Sequence, residues 1–310
     1  MFETRTRSGW GCILMWKRLT TLQCLAHQPT DGWKWARFLF VIAAFFTWYR
    51  RAFHIPQLYS NEGPLAVAGV VRLTSHVIFT PTTAYALFAL LVLGWVAIAQ
   101  GRFTRLGALV FLVASSTLVF QEGMNLKAYD RCLAWHCTAL ILAPNNASGK
   151  GEGSPMARFY VMLYLCNLYG MTGWGKIAAT SDWWAGTPLS YHLVHPQFGG
   201  TWLGVWLSTH PWLLAVCAWW TLIFEAGFPL LIWVKRLRGW VVLLGLSLHL
   251  GLFLLMDVGP FSITAIVMYP ILLEPGEFLR IKAWLQSHRW TMWWQVPWIM
   301  VRKPRASINA

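Results

Sequence analysis

Long apolar blocks separated by short polar connections run along the chain from about residue 35 to residue 274. Each block has roughly the length that a helix needs to cross a bilayer, about 20 apolar residues. None shows the short apolar–polar alternation of a membrane β-strand. The pattern therefore predicts eight transmembrane helices, near residues 35–52, 80–99, 104–121, 131–144, 157–178, 211–234, 239–256 and 261–274. The fourth and eighth are short for a full crossing, so tilt or a re-entrant path stays open for them.

Composition supports this prediction and narrows the class. Of the 310 residues, 57% are hydrophobic and 12% are charged, and the charged fraction is about half that of an ordinary soluble domain. The mean hydropathy is +0.48. We therefore expect an all-α, polytopic integral membrane helical bundle.

Basic residues outnumber acidic ones, with 25 Lys and Arg against 11 Asp and Glu. They stand at the ends of apolar blocks rather than on one basic face, so no nucleic-acid partner is expected. Residues 1–34, 235–238 and 276–310 are rich in Lys and Arg, whereas the long connection 179–206 has none. Because basic connections stay in the cytoplasm, this predicts an inner-membrane protein with both termini cytoplasmic.

The charge and apolar patterns divide the chain into three parts. Residues 1–34 form a cytoplasmic N-terminal segment, and its apolar stretch 13–26 is interrupted by Lys17 and Arg18. No small-residue cleavage site follows that stretch, so we predict an amphipathic surface helix there rather than a signal peptide. Residues 35–275 form the transmembrane domain, and residues 276–310 form a basic cytoplasmic tail.

Several charges fall at the outer membrane level, where a charge needs a partner or a function. Arg50, Arg51 and Arg72 lie outside against the charge rule, so carboxylates, lipid phosphates or a substrate are their expected partners. The same level collects further charged side chains, Asp130, Lys176, Asp182 and Asp257. The sequence therefore predicts a polar pocket that opens outward and is lined by Arg51, Asp130, Lys176, Glu225 and His249.

Two ionisable residues of this predicted pocket lie within apolar blocks. Glu225 precedes Pro229, which frees a backbone carbonyl within the helix, and we expect the carboxyl group to be paired or protonated. His249 has two interpretations: it binds a quinone-like head group or carries a proton, or it makes an interhelical hydrogen bond to Glu225 or Asn167. Trp183 lies in the tryptophan-rich connection, where an interfacial aromatic belt is the simpler interpretation.

A family resemblance joins these residues. The segments 169–176, 182–191, 224–231 and 261–273, together with His249 and the early segment 49–65, resemble the HTTM family. This is the membrane domain shared with vitamin K-dependent γ-carboxylases. The resemblance covers roughly residues 35–275, and its most specific part is the lysine of the Trp-Gly-Lys segment, Lys176.

The resemblance implies a chemistry and a set of site residues. In the carboxylases, a lysine at the position that matches Lys176 is regarded as the base that deprotonates reduced vitamin K. By this resemblance the cofactor is a quinone of the vitamin K type. The predicted catalytic residues are Lys176, His249 and Glu225, and those predicted to bind substrate or cofactor are Arg51, Asp130, Trp183 and Asp257. In the alternative interpretation, Lys176 extends toward lipid phosphate or caps its helix.

The chain departs from the carboxylase pattern in two places. Where the family has Asn-Asn-His before the fourth span, Asp130 takes the position of the histidine, and His136 is a weak substitute. The carboxylases also carry a large outer C-terminal domain, whereas this chain ends at Ala310. Carboxylation of a protein substrate is therefore not expected, although the membrane site is.

The sequence leaves open whether the protein is an enzyme. The leading hypothesis is an HTTM-like protein that binds a quinone or lipid and carries out base or redox-linked chemistry. The alternative is a non-catalytic membrane subunit that handles lipid or anchors an exported partner protein. A small-solute transporter ranks last, because the sequence has no inverted repeats. No metal site is expected. His192 and His195 have a ligand-like spacing, with Asp182 and His210 nearby, but the sequence does not establish that this connection is helical, which the spacing requires.

Overall fold

The computed structural model describes residues 31–62, 79–122, 127–143, 155–179, 182–273 and 276–277. The predicted amphipathic helix at 13–26, Arg72 and almost all of the predicted tail lie outside these ranges. The chain divides into two compact units, Met1–Glu274 and Pro275–Ala310. The architecture described below is that of the first unit.

All regular secondary structure within the described ranges is helical, which confirms the all-α prediction for them. The first half contains α1 (Asp31–Trp48), a short 3-10 helix (Arg51–His54), α2 (Ile55–Tyr59), α3 (Pro81–Gln100), α4 (Thr104–Glu122) and α5 (Ala128–Leu142). The second half contains α6 (Pro155–Ala179), α7 (Asp182–Ala185), α8 (Thr187–Val194), α9 (Trp202–Ser208), α10 (Pro211–Leu231), α11 (Lys235–Leu255), α12 (Gly259–Ile266) and α13 (Tyr269–Leu272).

A helix occurs at each of the eight positions that the apolar pattern predicts, with two differences in detail. The eighth block is not one helix, because a turn at Val267 and Met268 separates α12 from α13. The long connection between α6 and α10 is also structured, since it contains the three short helices α7, α8 and α9.

Three described helices, α3, α10 and α11, are long and apolar enough to cross a membrane. The stretches Thr104–Phe120 and Gly259–Leu272 are apolar but shorter. Large apolar side chains on the three long helices are exposed, among them Leu93, Ile223 and Leu250. Surfaces of this kind are rare where water is the solvent and normal where lipid is. The structure therefore indicates membrane association.

Helices α3 and α4 form a tightly packed hairpin, and two glycines make the close approach possible. A Cβ atom at Gly94 would lie 2.7 Å from the backbone nitrogen of Phe111, and one at Gly107 would lie 2.8 Å from the Cβ of Ala97. Gly101 ends α3 with a φ of +74°, a left-handed conformation that glycine adopts without strain.

Two arginines are buried in the second half, where their guanidinium groups hold helix ends together. Arg158 on α6 donates to the carbonyl of Leu272 at 2.7 Å, and Arg238 donates to the carbonyl of Ile232 at 3.1 Å. The sequence placed Arg238 among the basic residues of a connection. The structure instead puts it in the first turn of α11, fully buried, because that helix already begins at Lys235.

Candidate functional site

The glycine-rich segment 169–176 brings α6 into close contact with α10. A Cβ atom at Gly173 would lie 2.7 Å from the carbonyl carbon of Glu225, and one at Gly170 would lie 3.0 Å from Cγ of Pro229. Pro229 has no N–H group to donate to the carbonyl four residues earlier, that of Glu225. The two glycines therefore fit α6 against the interrupted part of α10.

Lys176 lies one helical turn beyond Gly173 and reaches the same part of α10. Its Nζ donates to Oε2 of Glu225 at 2.5 Å. The Lys176 side chain is 23% exposed and the Glu225 side chain is 12% exposed. The Lys176 ammonium also lies 5.0 Å from the centre of the Trp183 ring, within the range of a cation–π contact. Three of the predicted site residues thus form one group, which we call the lysine cluster: Lys176, Glu225 and Trp183.

The connection that carries Trp183 is packed against the N-terminal half of α10. The indole Nε1 of Trp219 donates to the carbonyl of Trp184 at 3.1 Å, and the centres of the two rings are 4.6 Å apart. The connection also contributes to a small apolar core made of Leu189, Leu193, Leu207, Leu214 and Met256. The position of Trp183 over Lys176 is therefore fixed by tertiary packing of the connection.

His192 on α8 lies next to the lysine cluster. Its ring centre lies 6.3 Å from that of Trp183. Burial lowers the pKa of His192, and electrostatic interactions with His195 and Lys176 lower it further. A lower pKa favours the neutral imidazole, which avoids a second positive charge beside the ammonium of Lys176.

Arg51 and Asp130 form a separate, bidentate ion pair. The two guanidinium nitrogens of Arg51 donate to the two carboxylate oxygens of Asp130 at 2.6 and 2.9 Å. The backbone N–H of Lys127 donates to the same carboxylate at 3.1 Å. The Arg51 guanidinium also lies over the rings of Trp48 and Tyr129. Of the partners expected for Arg51, a carboxylate, a lipid phosphate or a substrate, the structure shows the carboxylate.

His249 lies in a third group, and its observed partner differs from both predicted partners. Its Nε2 is 2.8 Å from the hydroxyl of Tyr169, which is 2.6 Å from the hydroxyl of Tyr269. The predicted hydrogen bond of His249 to Glu225 or Asn167 is wrong, because Glu225 pairs with Lys176 and Asn167 is exposed.

Two of the residues predicted to line one outward pocket, Asp130 and His249, line different cavities. Asp130 lines a cavity of about 180 Å³ together with Trp48 and Ser115. His249 lines another, of about 300 Å³, between α11 and α12. Lys176 is among the lining residues of neither. Asp257 is exposed, and its backbone N–H donates to the carbonyl of Phe198 at 3.0 Å.

His136, the other candidate for the carboxylase histidine, has a packing role. It is fully buried, and its Nε2 donates to the carbonyl of Thr264 on α12 at 2.7 Å. Its ring meets that of Tyr164 edge-on. The side chain therefore links α5 to α12, whereas the Asp130 carboxylate is held by Arg51.

The histidines between α6 and α10 do not assemble into a metal site. His195 stacks on Phe198 with 4.0 Å between ring centres, and the His210 ring lies 4.4 Å from that of Trp206. Within the described ranges, no group of three or more His, Cys, Asp or Glu side chains is placed to hold a metal ion.

Sequence reasoning missed Tyr169 and Tyr269 as members of the His249 group, and it missed Ser262, which lines the same cavity as His249. Tyr169 and Tyr269 are both buried, and each lies in a segment that carries the family resemblance. A buried tyrosine needs a hydrogen-bond partner, so a histidine in a neighbouring apolar block was the available signal. The pairing itself depends on helix packing, which the sequence pattern does not give.

Comparison of the chain with protein-family models, with curated proteins and with solved structures finds no match. The resemblance to the HTTM family therefore stays a prediction.

Proposed function

We propose that the protein is an HTTM-like integral membrane protein whose lysine cluster binds the polar head of a lipid-soluble molecule, such as a quinone, and exchanges a proton with it. The observation that carries the proposal is the contact of Lys176 with Glu225 on α10, a helix long and apolar enough to cross a membrane. An ionisable pair within apolar helices is costly to keep and marks a functional site by default.

The partial exposure of Lys176 favours exchange with a ligand. Its ammonium has three donors, of which Glu225 takes one, and the Glu225 carboxylate has further acceptor positions. A ligand hydroxyl that reaches the pair gives its proton to the carboxylate, and the resulting anion is held by the ammonium. The O–H bond of the ligand breaks, an O–H bond forms on Glu225, and the net charge of the whole assembly does not change.

Lys176 can take the ligand proton in place of Glu225 only after the ammonium has passed its own proton to Glu225. The two residues therefore act as one unit, and removal of either one ends the exchange. Trp183 covers the ammonium with its ring and limits access of water to it.

The proposal includes eight spans in the inner membrane with both termini in the cytoplasm. Helices at all eight apolar blocks and the distribution of Lys and Arg support it. Single cysteines test the sidedness: after Tyr191→Cys, a membrane-impermeant maleimide should label intact cells, whereas after Arg236→Cys it should label only opened ones. Both positions are exposed in the structure. The opposite labelling pattern would invert the topology.

Mass spectrometry of extracted ligands tests the binding function. The native protein in lipid nanodiscs should retain a quinone or a similar apolar cofactor, and Lys176→Ala and Glu225→Gln should lose it. Arg236→Ala is the matched control, because this exposed basic residue lies in the first turn of α11 and is not a member of the lysine cluster. Only bulk phospholipid in all four samples would rule the proposal out.

The second candidate is a non-catalytic membrane subunit that handles lipid or anchors an exported partner protein. It is favoured by the fact that Lys176 already joins α6, α10 and α7 through Glu225 and Trp183. Glu225→Gln separates the two functions, because the amide oxygen still accepts a hydrogen bond from the Lys176 ammonium but takes no proton from a ligand. Anchoring survives this substitution, whereas proton exchange does not.

A further inference from the structure

Two buried polar atoms in the cavity between α11 and α12 have no hydrogen-bond partner within the described part of the chain: Nδ1 of His249 and Oγ of Ser262. Each residue is 3% exposed, and both line this cavity of about 300 Å³. Buried polar groups almost always have a partner, and one that lacks it costs free energy. Two such atoms in one cavity therefore point to a ligand.

The hydrogen-bond chain on the other side of His249 determines what Nδ1 offers. Tyr269, Tyr169 and Nε2 of His249 follow one another at 2.6 and 2.8 Å. Both hydroxyl protons find an acceptor only if Tyr269 donates to Tyr169 and Tyr169 donates to Nε2. A neutral imidazole whose Nε2 accepts carries its proton on Nδ1. Nδ1 of His249 is therefore a donor.

The Ser262 hydroxyl is a second donor in the same cavity, and the remaining wall is apolar. It consists of Leu246, Leu250, Phe253, Ile263 and Ile266. Leu250 and Phe253 are also exposed on the outer surface of α11, a helix that is long and apolar enough to cross a membrane. The cavity therefore combines an apolar wall with two residues that carry unpartnered donors.

We propose that this cavity binds an apolar molecule through a carbonyl-type oxygen, to which Nδ1–H of His249 and Oγ–H of Ser262 both donate. A carbonyl oxygen has two lone pairs and satisfies both donors at once. The chemistry is shared by the ester of an acyl lipid and by a quinone ring. The site goes beyond the proposed function, because it requires neither Lys176 nor Glu225.

Isotope-edited infrared spectroscopy of the full chain in nanodiscs tests the proposal. The probes are a long-chain methyl ester and a short-tailed quinone, each labelled with carbon-13 at its carbonyl groups, and hexadecane is the competitor without an acceptor. Binding should shift the carbonyl stretch to lower wavenumber. Ser262→Ala should reverse part of the shift and raise Kd about three- to tenfold, the effect of one hydrogen bond. A shift with the ester alone identifies an acyl lipid as the class of ligand, and a shift with the quinone alone identifies a quinone.

Ser247→Ala is the matched control, because this exposed serine on α11, the helix that carries His249, already donates to the carbonyl of Leu244 at 2.7 Å. Ser262→Ala removes an unpartnered polar atom, so it should fold at least as well as the native chain. The proposal is overturned if Ser262→Ala and Ser247→Ala bind the probes equally, or if hexadecane displaces them with equal strength. If Lys176→Ala abolishes binding while Ser262→Ala does not, the ligand belongs to the lysine cluster and the cavity proposal fails, whereas the proposed function stands.

Discussion

The Arg51–Asp130 and Lys176–Glu225 ion pairs differ in geometry and in exposure. Arg51 and Asp130 meet through two hydrogen bonds, and their side chains are 9% and 5% exposed. Lys176 and Glu225 meet through one, with side chains that are 23% and 12% exposed. The Asp130 carboxylate also accepts from the backbone at the start of α5, so it accepts three hydrogen bonds in all.

This difference separates a structural role from a functional one. A buried bidentate pair fixes the position of two segments, and its groups have little freedom to accept a new partner. A pair joined by one hydrogen bond keeps free donors and acceptors and is reachable from outside. Among the charges that the sequence predicted for one pocket, the proposed function therefore uses Lys176 and Glu225, and we expect Arg51 and Asp130 to contribute to stability.

Asp130→Ala should have the largest effect on stability. It leaves the buried guanidinium of Arg51 without its carboxylate, and loss of one partner of a buried pair costs about 3–5 kcal/mol. Chemical denaturation in lipid measures the change. Asp182→Ala, at an exposed carboxylate that begins α7, should change stability by less than about 0.5 kcal/mol. Equal effects of the two substitutions would contradict the structural role of Asp130.

Gly173→Ala should have the next largest effect on stability, because its Cβ would lie 2.7 Å from the Glu225 carbonyl carbon. Overpacking of this kind costs about 1–3 kcal/mol, and separation of α6 from α10 should also weaken the Lys176–Glu225 contact. Gly175→Ala is the control on the same helix, since nothing lies within 4 Å of its Cβ position. It should stabilise the helix by about 0.5–1 kcal/mol. The same sign for both would show that α6 does not pack as described.

Glu225→Gln should change stability less, by about 1 kcal/mol, because the Lys176 ammonium is exposed enough to gain water in place of the carboxylate. Its effect on function should be complete, since the amide accepts no proton from a ligand. Denaturation and ligand extraction on one sample measure the two effects. Glu62→Gln, at an exposed carboxylate, should leave both unchanged. A stability loss as large as that of Asp130→Ala would assign Glu225 to structure.

The smallest expected effect is on His192, whose pKa should rise in the Lys176→Ala protein. The positive charge of Lys176 is one of the causes that lower this pKa, so its removal lets His192 bind a proton at higher pH. NMR titration of the histidine ring measures the shift. Arg236→Ala should leave the pKa of His192 unchanged. An unchanged His192 titration in the Lys176→Ala protein would show that the ammonium does not lie near His192.

The positions of the helices were predictable from the sequence, whereas their pairing was not. Apolar blocks give α1, α3–α6, α10 and α11 within a few residues, because each such helix satisfies its own backbone hydrogen bonds. The eighth block was predicted as one element and is divided at Val267 and Met268. Periodicity does not detect a break that keeps the same apolar composition on both sides.

The sequence by itself determined that Lys176, Glu225 and His249 are ionisable residues in or beside apolar helices and that each therefore needs a partner. The tertiary structure alone decided that Glu225 belongs to Lys176, that His249 belongs to Tyr169 and that Ser262 faces the same cavity. These partners are separated by 49 and 80 residues along the chain. Contacts over such distances depend on which helix faces meet, and that is fixed by packing contacts such as those of Gly170 and Gly173 rather than by local pattern.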